Sequence, residues 1–164
     1  MSVVIDDYVR VDQRAKELGC SLPTELAVVP IYFESANSLD ELYTASHTTT
    51  VLKVFKENRI PIGSFLPDAC RPPYAVNKHF QWLGPTLFFP LALLSSNPQI
   101  SSLAIGVLSN CITDFLKGIP ARLRSVKLDM VIETNNEGTY KKLSYEGSAE
   151  GLQELAKIIR EMTK

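Results

Sequence analysis

Runs of apolar residues near helical or strand spacing divide the first third of the chain into elements. Apolar positions recur near helical spacing over residues 5–18, and Gly19 is a natural helix stop. Residues 26–33 form a continuous apolar run with β-branched and aromatic side chains, which is typical of a strand covered on both faces. Pro30 lacks a backbone donor and favours an edge or a bulge there.

A helix and a second strand are predicted next. Ser38 and Glu41 have the spacing of a capping box, which predicts that a helix begins there. Residues 42–55 keep an apolar side, but the three threonines at 48–50 weaken helix propensity and leave a joint near His47 as an alternative. The short apolar run 60–66 then predicts a strand, so that residues 26–66 form a β-α-β unit.

In the C-terminal part of the chain, the spacing of apolar residues changes between that of a helix and that of a strand. Residues 100–116 have helical spacing. Residues 126–133 alternate apolar and polar positions, as a strand with one buried face does. The turn signal at 135–138 and the run 139–145 complete a β-hairpin. Ser148 is the expected cap of a last helix, whose narrow apolar stripe should pack on the hairpin.

Residues 80–115 contain one formal charge, Asp114, and hold two apolar blocks, 82–94 and 103–116. Neither block reaches the roughly 20 residues that a membrane-spanning helix needs. Gly84, Pro85 and Pro90 interrupt the first block, which predicts an irregular or kinked segment. We interpret both blocks as core; an oligomer interface and membrane contact through residues 82–116 are the alternatives.

Length and charge restrict the class of protein. A chain of 164 residues fits a single domain with its own core. We predict one α+β domain, in which the β-α-β unit and the hairpin contribute to one sheet and the apolar helices pack on it. The net charge of −1 and the absence of a clustered basic face argue against nucleic-acid binding.

Targeting and redox signals are few. The start of the chain is acidic and has no long apolar segment, so no secretory signal is evident and a cytoplasmic location is expected. The three cysteines, Cys20, Cys70 and Cys111, are widely spaced, which indicates reduced thiols. The two histidines lie outside any zinc-binding spacing, so no metal is expected. No glycine-rich phosphate loop follows either early strand, so no cofactor is expected.

The proline-rich loop 67–81 concentrates the reactive side chains. Cys70 and His79 are the parts of a cysteine nucleophile site, and Asp68 lies nearby, but proximity in sequence is weak support for catalysis. No catalytic residue is therefore assigned. The other interpretations are an ordered structural loop and a loop that binds a partner.

A partner-binding role rests on residue types. The side chains in and beside this loop that are enriched at binding hot spots are Arg71, Tyr74, His79, Phe80 and Trp82. The prolines would limit the entropy lost when the loop is fixed against another protein or another copy of the chain. If Trp82 is instead a core residue, its replacement would cost stability rather than association.

The order of elements in the C-terminal part resembles that of the bacterial effector-associated constant component family. The matching features are an apolar helix that ends near Gly118, a strand at 125–134, the turn at 135–138, a strand at 139–145 and the helix from Ser148. The resemblance covers residue 26 to the end and implies a non-catalytic accessory of a bacterial conflict system, coupled to a separate effector enzyme. The proline-rich loop and the interrupted apolar block depart from that pattern.

Three functional hypotheses follow. The first is a non-enzymatic interaction or adaptor protein, as an accessory of a bacterial defence system. The second is a small cysteine-dependent enzyme that uses Cys70 and His79. The third is a membrane-associated component that uses residues 82–116.

Overall fold

Helices and strands alternate along the chain in a computed structural model that describes residues 2–75 and 82–163. The strands are β1 (Ser2–Asp7), β2 (Ala27–Val29), β3 (Gly63–Ser64), β4 (Trp82–Leu83), β5 (Thr86–Phe89), β6 (Val126–Glu133) and β7 (Tyr140–Gly147). The α-helices are α1 (Val11–Leu18), α2 (Thr48–Glu57), α3 (Leu91–Ser96), α4 (Ile100–Leu116) and α5 (Gln153–Met162). Short 3₁₀ turns lie at Leu39–Glu41, Ala121–Leu123 and Glu150–Leu152.

All of these strands belong to one mixed sheet. Its order is β1-β7-β6-β5-β2-β3, and β4 also pairs with β6. The strands β2 and β3 are parallel and α2 lies between them in sequence, which confirms the β-α-β unit. The hairpin β6-β7 lies in the same sheet, so the predicted α+β domain with a shared sheet is confirmed.

The link between the two halves of the sheet is β5, which the sequence pattern did not predict. It pairs antiparallel with β2 and parallel with β6. From Leu83 to Leu87 the chain advances four positions while β6 advances three, from Lys127 to Met130. This extra residue is a bulge at Gly84-Pro85. The first apolar block is therefore two strand segments and the short helix α3. The predicted interruptions at Gly84, Pro85 and Pro90 separate these elements, but the two strand segments were not predicted.

The core has two layers, one on each face of the sheet. On one face α2, α4 and α5 cover alternate strand residues, among them Leu87, Met130 and Leu143. On the other face α1 and the segments around Phe33 and Phe65 cover the intervening residues. Because β5 and β6 are covered on both sides, they can be apolar at successive positions.

Helix α4 begins and ends where the helical spacing predicts, at Ile100 and Leu116. It belongs to the same buried cluster as Trp82, so the charge-poor span contributes to the core. No helix within residues 2–75 and 82–163 is long and apolar enough to cross a bilayer.

The N-terminal helix prediction was wrong in its first half. Residues Ser2–Asp7 form β1, which pairs antiparallel with β7, and only Val11–Leu18 are helical. The β-branched residues Val3, Val4 and Ile5 suit a strand, and β7 supplies a partner that local spacing does not reveal. Gly19 ends α1 as predicted, in the left-handed conformation with φ 73°.

The capping box at Ser38 and Glu41 is present, but it starts only a single 3₁₀ turn. The chain then straightens, and α2 starts at Thr48 after His47. The joint near His47 is therefore a break between two separate elements. Ser148 is likewise not the cap of the last helix, since α5 follows the turn Glu150–Leu152. Its carbonyl oxygen instead accepts a hydrogen bond from the Tyr145 hydroxyl.

Two tyrosine hydroxyls on the α1 side of the sheet face carboxylates. Tyr8 donates to Glu34 over 3.2 Å and Tyr140 to Glu133 over 3.3 Å. Burial, and then the neighbouring carboxylate, raise the pKa of both hydroxyls above the ordinary tyrosine value.

These raised pKa values predict a loss of stability in alkali. In the unfolded chain both tyrosines ionise near pH 10, while the folded protein keeps them protonated. Their contribution to the free energy of unfolding is therefore fully present below about pH 10 and is lost as the pH rises above that value. The variant with Tyr8→Phe and Tyr140→Phe should lose less stability than the parent protein as the pH rises. Urea unfolding followed from neutral pH to about pH 11 tests this. Equal slopes for the two proteins would contradict it.

Candidate functional site

The segment before α2 ties the proline-rich loop to the β-α-β unit. Thr44 donates its backbone N–H to the Pro73 oxygen over 2.9 Å, and Ala75 donates to the Thr44 oxygen over 2.8 Å. The Thr44 hydroxyl also donates to the Pro72 oxygen over 3.1 Å. These hydrogen bonds, the Thr44 bridge, hold residues 72–75 of the loop in one conformation, although the loop lacks regular structure there.

Tyr74 is the most prominent side chain of this loop. It is 55% exposed, and its hydroxyl is hydrogen-bonded to that of Thr49 on α2. Arg71 is exposed and makes no ion pair within the described part of the chain. A large aromatic side chain that is exposed and already ordered binds a partner at a small cost in entropy.

Arg71 and Tyr74 line a cavity of about 460 Å³. Its floor is formed by the carboxyl ends of β2 and β3 and one wall by α2, with Thr48, Leu52 and Lys56 along that wall. Binding sites of α/β proteins commonly lie at the carboxyl ends of parallel strands. The volume lies within the usual range for a ligand or a short peptide segment.

The first turn of α2 supplies polar groups to this cavity. Thr48 is 6% exposed, and its hydroxyl has no hydrogen-bond partner among the described residues. No acidic residue lies in this turn, and His47 makes no side-chain capping hydrogen bond there. The positive end of the helix dipole is thus not compensated by a carboxylate of its own first turn.

Cys70 also lines the cavity and is partly buried. Its predicted catalytic partner His79 lies outside the described residues, so the cysteine-enzyme hypothesis stays a prediction. Burial, and then the nearby Cys70, raise the pKa of the Cys20 thiol. Cys111 is buried in α4, where burial raises the pKa of its thiol.

Trp82 does not belong to the exposed surface. Its side chain is 1% exposed and stacks on His47, with ring centroids 4.4 Å apart, and on the edge of Phe115 at 5.5 Å. The structure thus places Trp82 in the core, as the alternative interpretation expected, and a direct contact of its ring with a partner is incompatible with this burial. Phe80, like His79, lies outside the described residues.

Sequence reasoning missed several residues at this site. Tyr32 and Tyr43 are exposed and their rings meet edge to face at 5.9 Å, just before the Thr44 bridge. Tyr32 has φ 70°, which is rare for a bulky residue and places Phe33 in the core. Lys56 on α2 and Ser64 on β3 also line the cavity, because the fold brings these two elements together there. For Tyr32 and Tyr43, the available signal was the presence of two tyrosines in and after the apolar run 26–33.

Within residues 2–75 and 82–163 no group of three or more histidine, cysteine or acidic side chains is arranged to hold a metal ion. Comparison with protein-family models, with curated proteins and with solved structures finds no match to the chain. The resemblance to the effector-associated family therefore stays a prediction, and the site is interpreted from its geometry.

Proposed function

We propose that this protein is a non-enzymatic interaction component, and that residues 71–74 and the segment before α2 form its contact surface. The observation that carries the proposal is Tyr74, which is more than half exposed yet held by Thr49 and by the Thr44 bridge. Arg71 adds a cation without an ion-pair partner in the described part of the chain. Both residue types dominate the energetics of protein interfaces.

The exposed pair Tyr32 and Tyr43 supports the same region. Tyr43 directly precedes Thr44 in the chain, and its ring packs against the ring of Tyr32. Exposed aromatic side chains that are already ordered support a binding role, because they give contact area at a small cost in entropy. The accessory role in a bacterial defence system would make the partner a separate effector enzyme, and neighbouring genes would identify it.

Photo-crosslinking in the native host tests the proposal. Benzoylphenylalanine at position 74 should give a discrete adduct with another protein or with a second copy of the chain. The same group at position 103 is the control, because Leu103 on α4 has a nearly equal exposed fraction, 53%. The adduct at position 74 should disappear when Arg71→Ala is added, while sedimentation and thermal melting of Arg71→Ala stay normal.

Mass spectrometry of the adduct separates self-association from a partner. The proposal predicts a specific band at position 74 that exceeds any band at position 103 by about tenfold or more, since Tyr74 and Arg71 are hot-spot types. Equal labelling at both positions, or labelling that Arg71→Ala leaves unchanged, would remove the support for this surface.

A further inference from the structure

Cys20 and Cys111 lie on opposite faces of the sheet. Cys20 follows the end of α1 and packs against the buried cluster on the face that α1 covers. Cys111 lies in α4 and belongs to the cluster on the other face, with Leu108 and Ile112. The sheet separates the two thiols, so neither can reach the other in the folded protein.

The start of the proline-rich loop lies beside Cys20 instead. The backbone N–H of Ser21 donates to the Phe65 oxygen over 3.2 Å. Leu66 packs against the same buried cluster as Cys20, and it also lines the cavity of about 460 Å³. Cys70 lines that cavity too. Leu66 therefore lies between the surroundings of Cys20 and those of Cys70.

A turn keeps Cys70 near this contact. Its backbone N–H donates to the Pro67 oxygen over 2.9 Å, so the chain turns within residues 67–70 instead of continuing as an extended segment. The effect of one thiol on the other agrees with this position: burial, and then Cys70, raise the pKa of the Cys20 thiol. The two thiols are thus neighbours in the fold, although they are distant in sequence.

The two neighbouring thiols differ in their access to an oxidant. Both side chains are partly exposed, whereas Cys111 is buried. Cys70 lies on the cavity wall, where a small oxidant can reach its sulfur. Burial favours the protonated form of Cys20, and a protonated thiol does not attack an oxidant. Cys70 is therefore the thiol that an oxidant meets first, and Cys20 is placed to react with the product.

We propose that Cys70 and Cys20 are a reversible oxidation site, at which hydrogen peroxide oxidises Cys70 and Cys20 then closes a disulfide with it. In the first step the Cys70 thiolate attacks one peroxide oxygen; the S–O bond forms, the O–O bond breaks and the other oxygen leaves as water. In the second step the Cys20 sulfur loses its proton and attacks the Cys70 sulfur; the S–S bond forms, the S–O bond breaks and the hydroxyl group leaves as water. The two thiol protons go to the two leaving oxygens.

Hydrogen peroxide treatment of the purified full chain tests the proposal. The chain has three cysteines, so the reduced protein should give three alkylated thiols after denaturation and the oxidised protein only one, at Cys111. Peptide mapping should identify a disulfide between Cys20 and Cys70 within one chain. Dithiothreitol should restore all three thiols, because thiol–disulfide exchange reverses the bond. The map uses the parent protein and therefore does not depend on how any variant folds.

Serine variants assign the two roles. Cys111→Ser is the matched control, since Cys111 lies outside the pair, and it should still lose both remaining thiols to peroxide. Cys20→Ser should stop at the sulfenic acid of Cys70, which dimedone labels. Cys70→Ser should take up at least about fivefold less dimedone, because burial favours the protonated form of Cys20. Thermal melting of the reduced variants shows whether each substitution leaves the fold intact.

The outcomes decide both parts of the proposal. A disulfide between Cys20 and Cys70 that leaves Cys111 reduced supports the site. A disulfide that includes Cys111, or disulfides only between two chains, would overturn it. The survival of all three thiols under peroxide that consumes free cysteine would overturn it as well. Equal dimedone labelling of Cys20→Ser and Cys70→Ser would overturn the assignment of Cys70 as the thiol that is oxidised first.

Discussion

Replacing Trp82 by alanine is expected to lower the free energy of unfolding by about 3–5 kcal/mol. The indole is buried between His47 and Phe115, and its Nε1 has no hydrogen-bond partner among the described residues. The loss therefore comes from the cavity and the lost apolar contacts rather than from a broken hydrogen bond. Urea unfolding of the purified variant measures it.

Tyr74→Ala is the matched control for Trp82→Ala. It also truncates an aromatic side chain, but one that is exposed, so we expect a change within about 1 kcal/mol, mainly from the lost hydrogen bond to Thr49. A Trp82→Ala variant as stable as Tyr74→Ala would contradict the burial of the indole.

Replacing Gly84 by alanine is expected to cost about 1–3 kcal/mol, the range for overpacking a tight site. A Cβ atom on Gly84 would lie 2.4 Å from Nε1 of Trp82 and 2.6 Å from the adjoining ring carbon, so the buried ring must move. The ring is packed against His47 and Phe115 and cannot yield as the end of a flexible side chain would. Chemical unfolding of the variant measures the cost.

Gly106→Ala is the control for Gly84→Ala, because it introduces the same methyl group in α4 with no atom within 4 Å. It should raise the free energy of unfolding by up to about 1 kcal/mol, since alanine favours a helix. The two substitutions should therefore change the free energy of unfolding in opposite directions. Changes of the same sign and size would show that Gly84 and Trp82 do not pack as described.

Local pattern was sufficient for the elements whose partners are adjacent in sequence. The helix α4 and the hairpin β6-β7 follow from spacing and turn residues, and Gly138 with φ 80° closes that hairpin as its turn signal indicates. In each case the decisive interactions lie within one element or between neighbours in the chain.

For the candidate site, the sequence could predict residue types but not exposure. Arg71 and Tyr74 lie on the surface and Trp82 in the core, although all three are typical of interfaces. Trp82 is buried because His47, just before α2, and Phe115 on α4 pack against its ring, and both residues are distant from it in sequence. Thr49 and Lys56 join the site because α2 lies beside the loop.

By itself the sequence determined the α+β class, the positions of α4 and the hairpin, and Gly19 as the end of α1, because each of these depends on short-range geometry. Only the tertiary structure decided that residues 2–7 and 86–89 are strands, that β5 joins the two halves of the sheet and that β3 is the last strand in the sheet order. Strand pairing takes its hydrogen bonds from residues far away in the chain, and no local spacing records where those partners are.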